Sequence, residues 1–212
     1  MYDVAHASEI DAQKERREYE TVGQEANAII RCACAPCNQG WMERLDGRAQ
    51  PLIEPMVFGN PTTLGTLGHL ATVAAWATKV AMCLASTVCV TRPSREEASA
   101  FRQHNVPPAG YRLRIGAADI EWPNLWLSTI QLLPHKGADP TGVEAYASTF
   151  RVGHVVFQVF APSQTIREES ERSQWQGRTS ELWPTFTQMR WSTATAFDSV
   201  DLALFSRAYV AD

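Results

Sequence analysis

Leu64 to Val90 is a run of 27 residues with a single charge, Lys79; alanine, leucine, valine and threonine make up most of the rest. A stretch this long and apolar either crosses a membrane or lies inside a fold. Lys79 stands near its centre, where a charge is expensive in lipid. Leu67, Leu70, Ala74, Ala77, Ala81 and Leu84 recur at spacings of three and four, which marks one face of a helix. The expectation is a buried central helix and no membrane partner. At 212 residues, 45% hydrophobic and 20% charged, the chain is not a disordered tail, a collagen-like fibre or a disulfide-dense mini-protein. Its length suits one domain, or a small module fused to a larger one. A chain of this size buries roughly 70% of its unfolded surface, so a metal-ligand pattern in it calls for a local explanation.

The net charge of −4 is unevenly spread. Residues 1–25 hold seven acids against three bases, and the remaining 187 residues hold sixteen of each. That balance excludes the strongly basic class of nucleic-acid binders. A polyanion would have to be held by local arginines, which outnumber lysines sixteen to three. Arginine's planar fork suits phosphate, although a GC-rich genome produces the same bias. Of five cysteines, Cys32, Cys34 and Cys37 crowd together, while Cys83 and Cys89 lie in the apolar run. The first twenty residues are polar and acidic, unlike a secretory signal. The expected setting is a reducing cytoplasm with free thiols.

Local signals divide the chain into an acidic arm with the cysteine segment (1–59) and an α+β body (60–212). The arm, residues 1–25, reads as helical or frayed. Residues 28–33 read as a short strand entering the cysteine cluster, with a helix from Asn38 that Pro51 ends or kinks. Asn60-Pro61-Thr62-Thr63 reads as a turn whose threonine caps the central helix. Ser94-Arg95-Glu96-Glu97 has capping-box spacing, so a further helix runs to about His104 and breaks at Val106-Pro107-Pro108. Residues 111–116, 125–133 and 149–160 read as strands, the last one half-buried. A polar connection, 162–181, is expected to be mobile; Trp183 to Trp191 is another strand, and Asp198 caps a terminal helix ending near Tyr209. The tally is α+β, with a helical middle (64–104) and a mostly antiparallel C-terminal sheet (111–191).

Cys34-Ala-Pro-Cys37-Asn38-Gln39-Gly40-Trp41-Met42 carries the sharpest chemical signal. A CxxC that leaves a strand and enters a helix is a zinc-knuckle geometry, with both sulfurs turned toward one ion. The pair supplies two of four ligands, or three with Cys32. Unliganded thiols beside a turn, or a redox pair, are the other readings of the same residues.

This segment, followed some 35 residues on by AAWATKVAM, resembles a group of bacterial and phage proteins known as HNH-type endonucleases. The likeness continues through Val106-Pro107-Pro108, STFRVGHVVFQV, Leu182-Trp183-Pro184 and Arg190-Trp191, and covers roughly residues 28–208. It implies a treble-clef or ββα-like finger near the N-terminus, of which this chain keeps a zinc-knuckle remnant. It implies a nuclease in which a His draws a proton from water, an Asn orients that His, and one divalent cation stabilises the scissile phosphate. Family members carry an earlier CxxC and a Glu-His pair. This sequence has neither, which leaves its zinc site incomplete and raises the expectation of a start upstream of Met1. The mapping it allows is His6, Asn27 and Asn38 as the catalytic set, with Mg²⁺ or a similar ion. Cys32, Cys34 and Cys37 would hold structural Zn²⁺, and Arg31, Arg44 and Arg48 would contact DNA phosphates.

The other histidines (His69, His104, His135, His154) fall at no ligand spacing, and there is no GxSxG, P-loop or GxGxxG. The tryptophans read as core before they read as a stacking platform. The function expected is metal-dependent hydrolysis of DNA phosphodiesters. Its rival is a non-catalytic binding protein, a phage-encoded inhibitor or accessory factor with a protein partner. A near-neutral body favours the rival, because duplex binders carry surplus positive charge.

Overall fold

The computed structural model describes residues 18–22, 33–88, 93–120, 125–132, 145–161, 178–184, 189–191 and 196–206. In chain order the elements are β1 (Glu18–Val22), α1 (Ala35–Cys37), a π-helical stretch (Asn38–Met42) and α2 (Glu43–Val57). Next come β2 (Thr62–Leu64), α3 (Leu67–Val88), α4 (Arg95–His104) and β3 (Arg112–Ala117). The chain continues with β4 (Leu125–Leu132), β5 (Ala145–Val152), β6 (Val155–Ala161), β7 (Thr179–Trp183), β8 (Met189–Trp191) and α5 (Ser199–Ser206). The class is α+β.

Six strands form one antiparallel sheet in the order β1-β4-β5-β6-β3-β7, and β2 pairs with β8 in a separate ribbon. The apolar run becomes α3, and Leu70, Val73, Ala74, Ala77, Ala81 and Leu84 are buried in it. Small side chains let α3 lie close to the sheet, where Trp76 meets the rings of Phe150 and Phe157 at 5.9 and 5.4 Å. On its other flank, α2 contributes Leu45, Ala49, Ile53 and Met56 to the same apolar cluster. A smaller cluster on the opposite sheet face joins Val156 to Phe197, Leu202 and Phe205 around α5. By length and composition Leu67–Ser86 could cross a membrane; 56% of that window is buried inside this fold.

Several local expectations are corrected. The helix does not end at Pro51; it runs to Val57 through Pro51 and Pro55. Those prolines lie four apart, away from the buried ridge of Leu45, Ala49, Ile53 and Met56. Their missing N–H groups therefore fall on the outer side, where burial of the ridge outweighs the loss. Thr62 and Thr63 belong to a strand, and the cap at the start of α3 is Thr66, whose hydroxyl accepts from the His69 amide at 3.1 Å. Leu67, expected on the buried face, is 63% exposed at the first turn.

The segment 149–160 is a hairpin of β5 and β6, turned at Gly153-His154 with Gly153 at φ +55°. β6 is buried at every position rather than half-buried, because both sheet faces are covered there. Trp183 to Trp191 splits between β7 and β8, which lie in different sheets. Part of the acidic arm, Glu18–Val22, is an edge strand rather than a helix. The strand expected at 28–33 falls almost wholly outside the described residues, as does most of the connection 162–181.

Candidate functional site

Cys34 has extended backbone (φ −72°, ψ 155°) and stands at the N-cap of α1, with Pro36 in the first turn. Proline is suited to that place because its missing N–H would be unpaired there in any case. The Asn38 amide donates to the Cys34 carbonyl at 2.9 Å, closing the first helical turn. The two cysteines thus sit one turn apart, both as free thiols, Cys34 exposed and Cys37 half-buried. Hydrogen bonds from the Cys37 thiol and amide hold the Cys34 thiol below its ordinary range, and Arg102 on α4 adds a smaller pull in the same direction.

Two residues further along the motif turn the other way. Trp41 meets Phe101 of α4 edge-on, with ring centroids 5.6 Å apart at 86°, and Met42 is buried. The motif is therefore divided: its aromatic and Met ends dock the helix, while Cys34 and Asn38 stay at the surface. Asn38 opens the π-helical stretch, and its carbonyl accepts from the Glu43 amide. Arg44 and Arg48 follow on α2, both exposed and four residues apart, hence on one ridge.

Of the nine expected site residues, the structure places Cys34, Cys37, Asn38, Arg44 and Arg48 on this one continuous helical segment. His6, Asn27, Arg31 and Cys32 lie outside the described residues. Thiolate donors one turn apart fit zinc, and Cys34 and Cys37 could supply two of the four ligands such a site needs. Among the described residues, no group of three or more His, Cys, Asp or Glu gathers as a ligand set. An open depression on α4, lined by Arg95, Glu96, Ser99, Ala100 and Gln103, contains none of the expected site residues.

Two histidines of the body have local structural roles. The His154 ring packs against Gly59, and its Nδ1 pairs with the Ala118 carbonyl at 3.1 Å. His104 closes the last turn of α4, where a base suits the helix end. Tyr111 and Tyr146 share a buried hydroxyl–hydroxyl hydrogen bond of 3.0 Å, and burial pushes the Tyr111 phenol far above its usual range.

Sequence reasoning passed over Arg151. It is only 1% exposed, and its Nη1 donates to the carbonyls of Ile120 (3.1 Å) and Gly153 (2.9 Å). The available signal was an arginine within a segment read as a half-buried strand, and the local pattern does not say on which side of the sheet it lies. No family model matches the chain, and no curated protein or solved structure matches it significantly.

Proposed function

We propose that the chain is an HNH-endonuclease-like protein that hydrolyses DNA phosphodiesters. Cys34 and Cys37, with Cys32, would hold a structural Zn²⁺ that pins the start of the helix. His6 would take a proton from water, Asn27 would orient it, and Asn38 would stand near a Mg²⁺-class ion. Such an ion, when bound, supplies charge stabilisation to the scissile phosphate. Arg31, Arg44 and Arg48 would fix the DNA backbone and carry no sequence preference of their own.

One observation carries this reading. The CAPCN segment enters its helix with two free thiols one turn apart, Asn38 exposed beside them, and Arg44 and Arg48 exposed further along the same helical segment. Supercoiled-plasmid nicking with Mg²⁺, Mn²⁺ or Ni²⁺, beside an EDTA control, tests the activity. Metal-dependent nicking that His6→Ala abolishes is the expected result. Nicking that survives His6→Ala overturns the base assignment. Metal analysis of the purified protein tests the knuckle separately, with bound zinc expected and its loss expected in Cys34→Ser and Cys37→Ser.

A second reading is a non-catalytic binding protein, such as a phage-encoded inhibitor or accessory factor. The charge distribution favours it, because residues 26–212 sum to zero and the net charge of −4 sits in the first 25. A folded protein that nicks no plasmid under any of the three metals selects this reading over the first.

A further inference from the structure

The fold presents the two thiols of the cysteine segment unevenly. Cys34 is exposed and Cys37 half-buried, and neither is bridged. Local geometry brings them together: Cys34 is extended at the N-cap, and Cys37 is the last residue of α1. A residue in that position turns its side chain back over the first helical turn, and the Cys34 sulfur accordingly meets the Cys37 thiol and amide. The Asn38 amide, bonded to the Cys34 carbonyl at 2.9 Å, holds the turn shut. Downstream, Trp41 against Phe101 and the buried Met42 anchor the same segment to the body.

A zinc centre needs four ligands, and among the described residues no third His, Cys, Asp or Glu gathers with these two. A disulfide needs only the two sulfurs. Ala35 and Pro36 between them are helical, which sets the two Cα atoms about 5 Å apart. Disulfides bridge Cα atoms roughly 4.4–6.8 Å apart, so this turn can close by side-chain rotation alone. The exposed sulfur is open to a dissolved reagent, and the half-buried one stands behind it, in contact. Arg102 of α4 is exposed and near enough to act on Cys34 through its charge. It offers a counter-charge to a reagent that carries carboxylates.

We propose that Cys34 and Cys37 are a reversible redox pair, closed by small carboxylate-bearing disulfides of the glutathione class, with Cys34 the attacking sulfur. The Cys34 thiol gives its proton to solvent and its sulfur attacks one sulfur of the reagent. The reagent's S–S bond breaks, and one half leaves as a thiolate that takes up a proton. The Cys37 thiol then loses its proton, and its sulfur attacks Cys34 in the mixed disulfide. That step forms the Cys34–Cys37 bond and releases the second half in the same way. Two protein thiols are oxidised, and one disulfide is reduced to two thiols. This bond and a zinc ion on the same sulfurs exclude each other. The redox chemistry goes beyond the nuclease reading and requires neither His6 nor a bound metal.

The test equilibrates the full chain, treated with a chelator, in buffers of graded reduced-to-oxidised glutathione ratio. Samples are quenched in acid, alkylated in denaturant and digested with trypsin for mass spectrometry. Cleavage after Arg31 and Arg44 leaves Cys32, Cys34 and Cys37 in one peptide. As the buffer turns oxidising, that peptide is expected to lose two hydrogens, with Cys34 and Cys37 protected and Cys32 alkylated. Excess thiol reverses the change. This mapping uses the unsubstituted protein, so it holds even if a variant does not fold. Cys37→Ser is expected to stop at a mixed disulfide on Cys34. In Cys34→Ser the half-buried Cys37 should form its mixed disulfide about tenfold more slowly or worse. Three results overturn the proposal: no closure at any ratio, a bridge that uses Cys32 in place of either sulfur, or Cys37 reacting as fast as Cys34. Zinc content measured before chelation separates the two readings. Zinc without closure defeats the redox pair and leaves the knuckle, and closure in a protein that held no zinc does the reverse.

Discussion

Gly153 ties two elements together through a side chain it lacks. At φ +55° its backbone is in the left-handed region, and a Cβ there would lie 2.2 Å from the Val57 carbonyl oxygen. That close approach lets the His154 amide donate to Val57 at 3.1 Å, so the end of α2 rests on the β5–β6 turn. Gly153→Ala combines left-handed strain with overpacking and is expected to cost about 2–4 kcal/mol. Urea denaturation checks it as a lower midpoint with an unchanged slope. Asp201 makes a pH-dependent contribution. Its carboxylate lies 2.8 Å from Arg178, and that hydrogen bond holds it below the ordinary carboxylate range. The contribution is complete above the unfolded value, about pH 4, and is lost as pH falls through the depressed one. Asp201→Asn should therefore cost under about 1 kcal/mol at pH 7, as partly exposed pairs do. The gap from the native protein should close on acid titration followed by circular dichroism. Asp198 could be read in advance as a helix cap, and its Oδ1 does accept from the Asp201 amide at 2.8 Å. Gly153 could not, because its neighbours on both sides read as one strand.

Among the elements, α4 follows most directly from its own residues. Ser94 Oγ accepts from the Glu97 amide at 3.0 Å, and Glu97 Oε2 accepts from the Ser94 amide at 2.8 Å. Asn105 closes the other end at φ 50°, a conformation asparagine tolerates better than most residues. Ser94→Ala should cost about 1 kcal/mol, seen as faster amide exchange in the first turn of α4 without change in the sheet. α2 is the contrary case. Its two prolines argue for a break on local grounds, and only the ridge packed against α3 keeps the helix whole.

At the scale of the molecule, an ion pair crosses the layer between the two long helices. Lys79, buried in α3, donates to the half-exposed Asp46 of α2. Asp46→Ala leaves an ammonium in the interior without its partner, and should cost about 1–3 kcal/mol, less than a fully buried pair. Lys79→Met removes the charge together with its desolvation penalty and should be near neutral. The double variant should resemble Lys79→Met rather than the sum of the two, which a double-mutant cycle by chemical denaturation measures.

The α3 segment, the caps of α4 and α5, and the presence of a helix after the cysteine pair are all readable along the chain. Each depends on residues within a turn or two of one another: hydrophobic spacing, Ser94 with Glu97, Asp198 with Asp201, Cys34 with Cys37. The inward docking of Trp41 and Met42 belongs here too, because helical spacing already marks them as core. The burial of Arg151 and the bond from Gln158 to α5 are of another kind. They exist only because strands distant in sequence pair in a particular register, and a shift of one residue would turn each of those positions to the other face. Local patterning carries no information about that register; it is set by the hairpin at Gly153, the packing of α3 on one face and the seat of α5 on the other.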